Sequence, residues 1–254
     1  QKGFFMINSN TFSNFNSKYP IYADLHTHSI SSGHGSEDTI TDMIRCASES
    51  GLSLFGISDH GPATSSSAKP SYFQSLKLAD RDRFGIRVLY GAELNIINTS
   101  GDVDLDDEIL SALDYAIISI HPPIFKPYHD KDLSSAYIRA MDHPKVRFLG
   151  HIDDARFPVD FEYLLEIAKE KHVYPEINNG SLMPDAYRIN GQENCRRILS
   201  ICKKLDLPVL LSSDSHGKKN IGNMQYIFPL LEELDFPAHL VLNSDLSVLS
   251  EIIR

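Results

Sequence analysis

The sequence predicts an α/β fold in which a parallel sheet closes, or nearly closes, into a single barrel. Three features carry that expectation. Short apolar runs alternate with amphipathic helix-like patterns along most of the 254 residues, which is how βαβ units build a parallel sheet. No linker, low-complexity block or internal repeat interrupts the alternation, so one core serves the whole array, and a 42% hydrophobic content is enough to fill it. Histidine and carboxylate residues recur just past the ends of the apolar runs, where barrel sites assemble.

Taken in order, residues 1–18 read as an N-terminal extension and residues 19–254 as the folded domain. The extension places Phe4, Phe5, Phe12 and Phe15 among Asn and Ser, without a basic region followed by a continuous apolar one, so no signal peptide is expected. Met6 is one candidate for the native start, and whether the residues ahead of it are native is not legible in the sequence. Residues 21–26, 52–58, 87–97, 115–121, 146–151, 173–178 and 209–213 are apolar runs of strand length bounded by polar or turn-forming residues. Between them, residues 36–50 predict a helix. Ser36 caps it, Glu37 and Asp38 occupy its first turn, Ile40, Met43, Ile44 and Ala47 form its apolar stripe, and Gly51 stops it. Residues 161–171 and 193–205 repeat that pattern, and 130–141, 224–234 and 244–253 carry it less fully. Asn98 to Gly101 predicts a turn that folds the third run back through residues 102–105.

Charge narrows the partners. A formal net charge of -10 with no extended basic stripe argues against extended nucleic acid and anionic membrane surfaces. No apolar run approaches the roughly 20 residues that cross a bilayer. Cys46, Cys195 and Cys202 lack Cys-x-x-Cys spacing and fall in helix-like segments, so reduced, buried thiols in a cytoplasmic protein are expected. A small molecule is the expected partner; the oligomeric state is not legible.

The chemistry concentrates in Asp24-Leu25-His26-Thr27-His28-Ser29, followed by His34 and then Ser58-Asp59-His60. Residues two apart on a strand share a face, so His26 and His28 can hold one ion between them. Glu93, His121, His151, Asp214 and His216 each follow a further apolar run, whereas His129, His143, His172 and His239 fit no such slot and are expected at the surface or in packing. Imidazole and carboxylate without thiolate suit Zn²⁺, Mn²⁺ or Fe²⁺, with zinc the first expectation. Asp59 is a candidate for proton transfer or for orienting a ligand imidazole, as is Asp24. Arg156, Arg188 and Lys218 follow predicted strands and are candidates to clamp a phosphate.

These motifs, with Ile57 to Pro62, Gly91-Ala92-Glu93-Leu94-Asn95, Glu176-Ile177-Asn178-Asn179 and Ser213-Asp214-Ser215-His216, resemble the PHP (polymerase and histidinol phosphatase) superfamily. The resemblance runs from Tyr19 to the C-terminus and is nearest to the stand-alone YcdX-like phosphatases. It implies a distorted seven-stranded, TIM-like (β/α) barrel and three divalent metal ions. One ion would take His26, His28, Glu93 and Asp214, a second Glu93, His121 and His151, and a third His34, His60 and His216. Glu93 would bridge two ions, with a hydroxide shared between them attacking phosphorus. Many members carry Pro directly after the fifth-strand histidine. Here Ile152-Asp153-Asp154-Ala155-Arg156 follows His151, so the loop at residues 152–159 has a shape of its own, and Asp153 and Asp154 either replace a contact or are solvated.

Hydrolysis of a small phosphate monoester is the first functional expectation, because the chain has no basic groove and no attached polymerase domain. A nuclease or nucleotide phosphodiesterase of the same superfamily is the alternative. An amidohydrolase-like barrel enzyme also uses His-x-His and a late Asp, but His60, Glu93 and His216 fall outside that pattern. A non-catalytic metal-binding or regulatory module is the fourth reading.

Overall fold

In the computed structural model, residues 18–122, 124–125 and 131–254 are described; the extension up to residue 17 and His129 lie outside them. The elements run β1 (Ala23–Asp24), β2 (Thr27–His28), α1 (Ile40–Glu49), β3 (Leu54–Ile57), α2 (Pro70–Ser75), β4 (Asp82–Arg83), β5 (Ile86–Tyr90), β6 (Ala92–Asn95), α3 (Asp107–Leu110) and β7 (Ala116–Ser119). There follow α4 (Ser134–Ala140), β8 (Val146–Leu149), α5 (Phe161–Glu170), β9 (Tyr174–Asn178), α6 (Gly191–Leu205), β10 (Leu210–Ser212), β11 (Ser215–His216), α7 (Phe228–Glu233) and α8 (Leu246–Ile253). Each of the seven predicted runs contains a strand.

The strands pair as β1-β3-β5-β4, as a five-stranded sheet β10-β9-β8-β7-β6, and as β11-β2. Every pair is parallel except β4 with β5. The run predicted at 87–97 divides at Gly91, with β5 pairing to β3 and β6 to β7. A Cβ at Gly91 would stand 2.7 Å from the Tyr115 carbonyl, so glycine is what lets the chain change partners there. Strands β3, β6 and β7 are buried at every position, as expected for parallel sheets covered on both faces.

Two apolar clusters result. The larger lies between strands and helices and takes the stripe Met43, Ile44 and Ala47 of α1. The smaller gathers Ala23, Leu25, Leu54, Tyr115, Ile117, Phe148 and Leu210 among the strands, with Leu249 and Ile253 of α8 against them. Tyr115 donates to the Leu25 carbonyl at 2.5 Å, and a Cβ at Gly56 would overlap its hydroxyl.

Several boundaries differ from expectation for local reasons. Helix α1 starts at Ile40 because Thr39, not Ser36, caps it: Thr39 Oγ1 accepts from Asp42 N and Asp42 accepts from Thr39 N, both at 3.2 Å. Phe84 (φ 50°) and Gly85 (φ 80°) make a tight hairpin that adds the unpredicted antiparallel β4. Helix α7 starts late, with Pro229 in its first turn. The predicted turn after Ile97 is present, with Ile96 bridged antiparallel to Val103. Among the described residues no helix is long and apolar enough to cross a membrane.

Candidate metal centre

The parallel ladders bring the strand ends together, and the ligand-type residues come with them. His28 pairs in register with His216 across β2 and β11, and His60 bridges Glu93. Glu93 stands at the centre. Its Oε2 is 3.3 Å from His26 Nε2, 3.5 Å from His28 Nε2 and 2.7 Å from His60 Nδ1. Its Oε1 is 2.8 Å from His151 Nε2 and 3.3 Å from His121 Nε2. Asp214 Oδ1 lies 3.1 Å from His28 Nε2 and 3.6 Å from His26 Nε2. His151 (φ 27°) and Asp214 (φ 52°) hold left-handed backbone, a strained state for such residues that is concentrated at functional sites.

Three sets of ligand atoms lie mutually within 4.8 Å: His26, His28 and Asp214; His60, Glu93 and His121; and His28, His60 and His216. They divide the residues differently from the resemblance, with His60 shared between two sets. His34 joins none of them and instead stacks its ring 4.9 Å from that of His60. His26 Nε2, His28 Nε2, His60 Nδ1, Glu93 Oε2 and His216 Nε2 are buried without a hydrogen-bond partner. Five such atoms converging on one spot are costly unless something coordinates them. Divalent cations fit that donor set.

The far sides of the rings explain why the lone pairs face inward. His26 Nδ1 lies 2.5 Å from Glu176 Oε1. Burial opposes ionisation of Glu176, but His26 outweighs it and holds the carboxyl below its usual range, so Glu176 accepts and Nδ1 carries the proton. Ser32 Oγ donates its one proton to Asp59 at 2.7 Å and therefore accepts from His28 Nδ1 at 3.0 Å. His121 Nδ1 sits 2.7 Å from the side-chain oxygen Oδ1 of Asn95. In each case Nε2 is left facing the centre of the cluster.

Electrostatics follow the same geometry. Burial opposes charge on His26, yet Glu176, Glu93 and Asp214 outweigh it and hold its pKa well above the ordinary value. Burial, then His60 and His216, push His28 well below. Burial likewise opposes charge on Glu93, but His26, His121 and His60 hold it well below the usual carboxylate range. Asp24 is pushed up to about 6 by burial despite bonds from Ser213 and Gly222; it ties the loop after β10 to β1.

The other named residues separate. Arg188 is turned inward, with Nη2 2.8 Å from Asp214 Oδ2, and lines a cavity of about 530 Å³ together with His34, His60, His121 and His216. Arg156 does not line that cavity; it forks onto Asp154, with Nε 2.9 Å from both oxygens. Lys218 is a correction: Gly217 (φ 90°) turns the chain outward, and Lys218 pairs with Asp38 at 3.1 Å with its side chain 57% exposed. Asp59 is another. Its carboxylate accepts from Ser29 N, Ser29 Oγ, Ser32 Oγ and Tyr72 OH, so it touches no ligand atom and acts through Ser32. His143 pairs with Asp107 and His239 with Asp206, and His172 is exposed at the end of α5, all away from the centre. Glu176, quoted in the sequence only as part of a motif and given no role there, is the residue whose position matters beyond expectation; its signal is a buried polar alternation with Asn178 on an otherwise apolar strand.

Fold and site together define an α/β protein that gathers histidines and carboxylates able to hold metal ions at its strand ends. The PHP domain model matches residues 24–180. Over 231 residues the chain is 36% identical to a probable phosphatase of Clostridium acetobutylicum, covering 91% of this chain and 93% of the relative. A probable phosphatase of Acetivibrio thermocellus is 34% identical over 231 residues, 91% of this chain and 94% of the relative. The chain belongs to the PHP family and groups with its phosphatases. Among solved structures, histidinol phosphate phosphatase of Lactococcus lactis, complexed with zinc, L-histidinol and phosphate, shares the fold at TM-score 0.59 and 20% identity, covering 85% of this chain and 94% of that one. A chain in archaeal ribonuclease P with mature tRNA shares it at TM-score 0.60 and 18% identity, with 91% and 89% covered.

Proposed function

We propose that this protein is a metal-dependent phosphoesterase that hydrolyses a small phosphate monoester at a centre of three divalent ions, zinc being the first expectation. The observation that carries the reading is the convergence of five buried, unpartnered ligand atoms around Glu93. His26, His28 and Asp214 would hold one ion, Glu93 would serve two, with His121 and His151, and His60, His216 and His34 would complete the third position. Such ions supply positive charge to a phosphate and lower the pKa of water toward about 7. We read the pairings β1-β3, β3-β5, β6-β7, β7-β8, β8-β9, β9-β10 and β11-β2 as one distorted ring of seven strand units that gathers these residues at one mouth.

The chain's own residues do the positioning. Glu93 presents one oxygen to His26, His28 and His60 and the other to His121 and His151, which suits a bridge. Arg188 is fixed at the cavity wall by Asp214, Asn178 and Ser181, a guanidinium placed for phosphate oxygens. The curated relatives named as probable phosphatases and the zinc and phosphate of the Lactococcus lactis neighbour support this assignment. The test is a screen of metal-loaded protein against phosphate monoesters, diesters and cyclic amides. Monoester hydrolysis exceeding both others is expected; diester or nucleotide cleavage in excess would move the assignment to a phosphodiesterase, and amide hydrolysis alone would overturn it.

A further inference from the structure

The cavity beside the metal centre is larger than a phosphate needs. At about 530 Å³ it falls in the range of sites that enclose a whole small molecule. Its described wall beyond the ligand residues and Arg188 includes Thr64, Ser65, Ser66, Pro122, Ile124 and Tyr187, none of them charged. Tyr187 stands out because it is 73% exposed yet held in place. The Arg156 guanidinium lies 4.2 Å from its ring centroid. Arg156 does not line the cavity whereas Tyr187 does, so the guanidinium steadies a ring that forms part of the cavity wall.

That backing is itself locked. Asp154 takes the Arg156 Nε on both oxygens at 2.9 Å. The loop carrying them is bound to the loop carrying Tyr187 by Ala155 N donating to the Ile189 carbonyl at 2.9 Å, and to α6 by Asn194 Nδ2 donating to the Asp153 carbonyl at 2.7 Å. Arg188, the next residue after Tyr187, turns the other way onto Asp214 at 2.8 Å. One short segment therefore places a guanidinium and a steadied aromatic ring on the same cavity wall, so little ordering is left for a ligand to bring about.

Resting on the phosphatase reading above, we propose that Tyr187, positioned by the Asp154–Arg156 pair, selects a phosphate monoester whose alcohol carries a planar, uncharged aromatic group, which stacks on the ring. Residues 152–159 thereby acquire a role: they hold the specificity surface.

Benzyl and propyl phosphate serve as probes, because their alcohols are similar leaving groups and differ in the ring. In metal-loaded wild-type protein the KM for benzyl phosphate is expected to be about tenfold lower than for propyl phosphate, in the range of one aromatic stacking contact. Tyr187→Ala should abolish that ratio, Tyr187→Phe should keep it, and Arg156→Gln should reduce it severalfold while kcat for benzyl phosphate moves little. Calorimetric titration with benzylphosphonate and propylphosphonate reads the same preference without turnover. If neither ester is hydrolysed, the phosphatase assignment falls while the phosphonate ratio still decides on Tyr187. A wild-type ratio near one, or the same ratio in wild type and Tyr187→Ala, overturns the proposal.

Discussion

Glu176 Oε1 sits 2.5 Å from Nδ1 of His26, while Glu176 Oε2 accepts from the backbone N–H of His151 at 2.7 Å. One carboxylate on β9 thus fixes a ring on the first strand unit and the backbone of a second ligand after β8. Glu176→Gln retains an acceptor but removes the charge that holds the His26 proton on Nδ1. Metal affinity is expected to fall about 10–100-fold, as for other partners of ligand histidines. Competition with a chelating indicator measures it; unchanged affinity in a folded variant would remove Glu176 from the account.

Asp59 anchors rather than reacts. Four donors from Ser29, Ser32 and Tyr72 converge on its buried carboxylate. Asp59→Asn replaces one acceptor oxygen with a donor facing hydroxyls and should cost about 3 kcal/mol of stability. Urea denaturation reads that loss. If activity vanished in a variant of wild-type stability, Asp59 would be a reacting group instead.

Among the described residues Glu93 is the only carboxylate whose two oxygens face different sets of imidazoles. Glu93→Gln should lower kcat/KM at least about a thousandfold, on the order of 4 kcal/mol in barrier, with the circular dichroism spectrum kept. His143→Gln and His172→Gln should change little, since both residues lie away from the centre. Near-wild-type activity in folded Glu93→Gln with full metal content would rule out the bridge.

How much of this was readable in the sequence depends on what each residue does. The candidate ligands His26, His28, His60, His121, His151, Asp214 and His216 are legible because they follow apolar runs, and a parallel sheet aligns strand ends. The role of Glu176 is not, because it lies inside a run and its partner arrives from 150 positions away. Lys218 misleads for a local reason: two residues past His216, it is carried outward by the positive φ of Gly217. Arg156 likewise points at Asp154 and Tyr187, a pairing that only the packing of two loops creates. The hairpin at Phe84–Gly85 is missed because Phe84 takes a left-handed backbone that its type does not advertise.

Removing metal should leave the fold standing, since the apolar clusters surround the centre without depending on it. Chelated protein is expected to keep its far-ultraviolet spectrum but to melt earlier. Restoring metal at about 100 times its Kd should return about 2.7 kcal/mol, or roughly 5–10 °C in Tm for a chain of this size. Loss of all helical signal on chelation would show that the metal organises the fold rather than the site.

The most direct test is the metal content of active protein. Chelated chain is reloaded with zinc or manganese, passed over a desalting column, and assayed by elemental analysis and phosphate release on the same sample. Close to three ions per chain, with activity rising as the last of them binds, is the expected result. Full phosphatase activity with one ion or fewer per chain would contradict the centre built around Glu93.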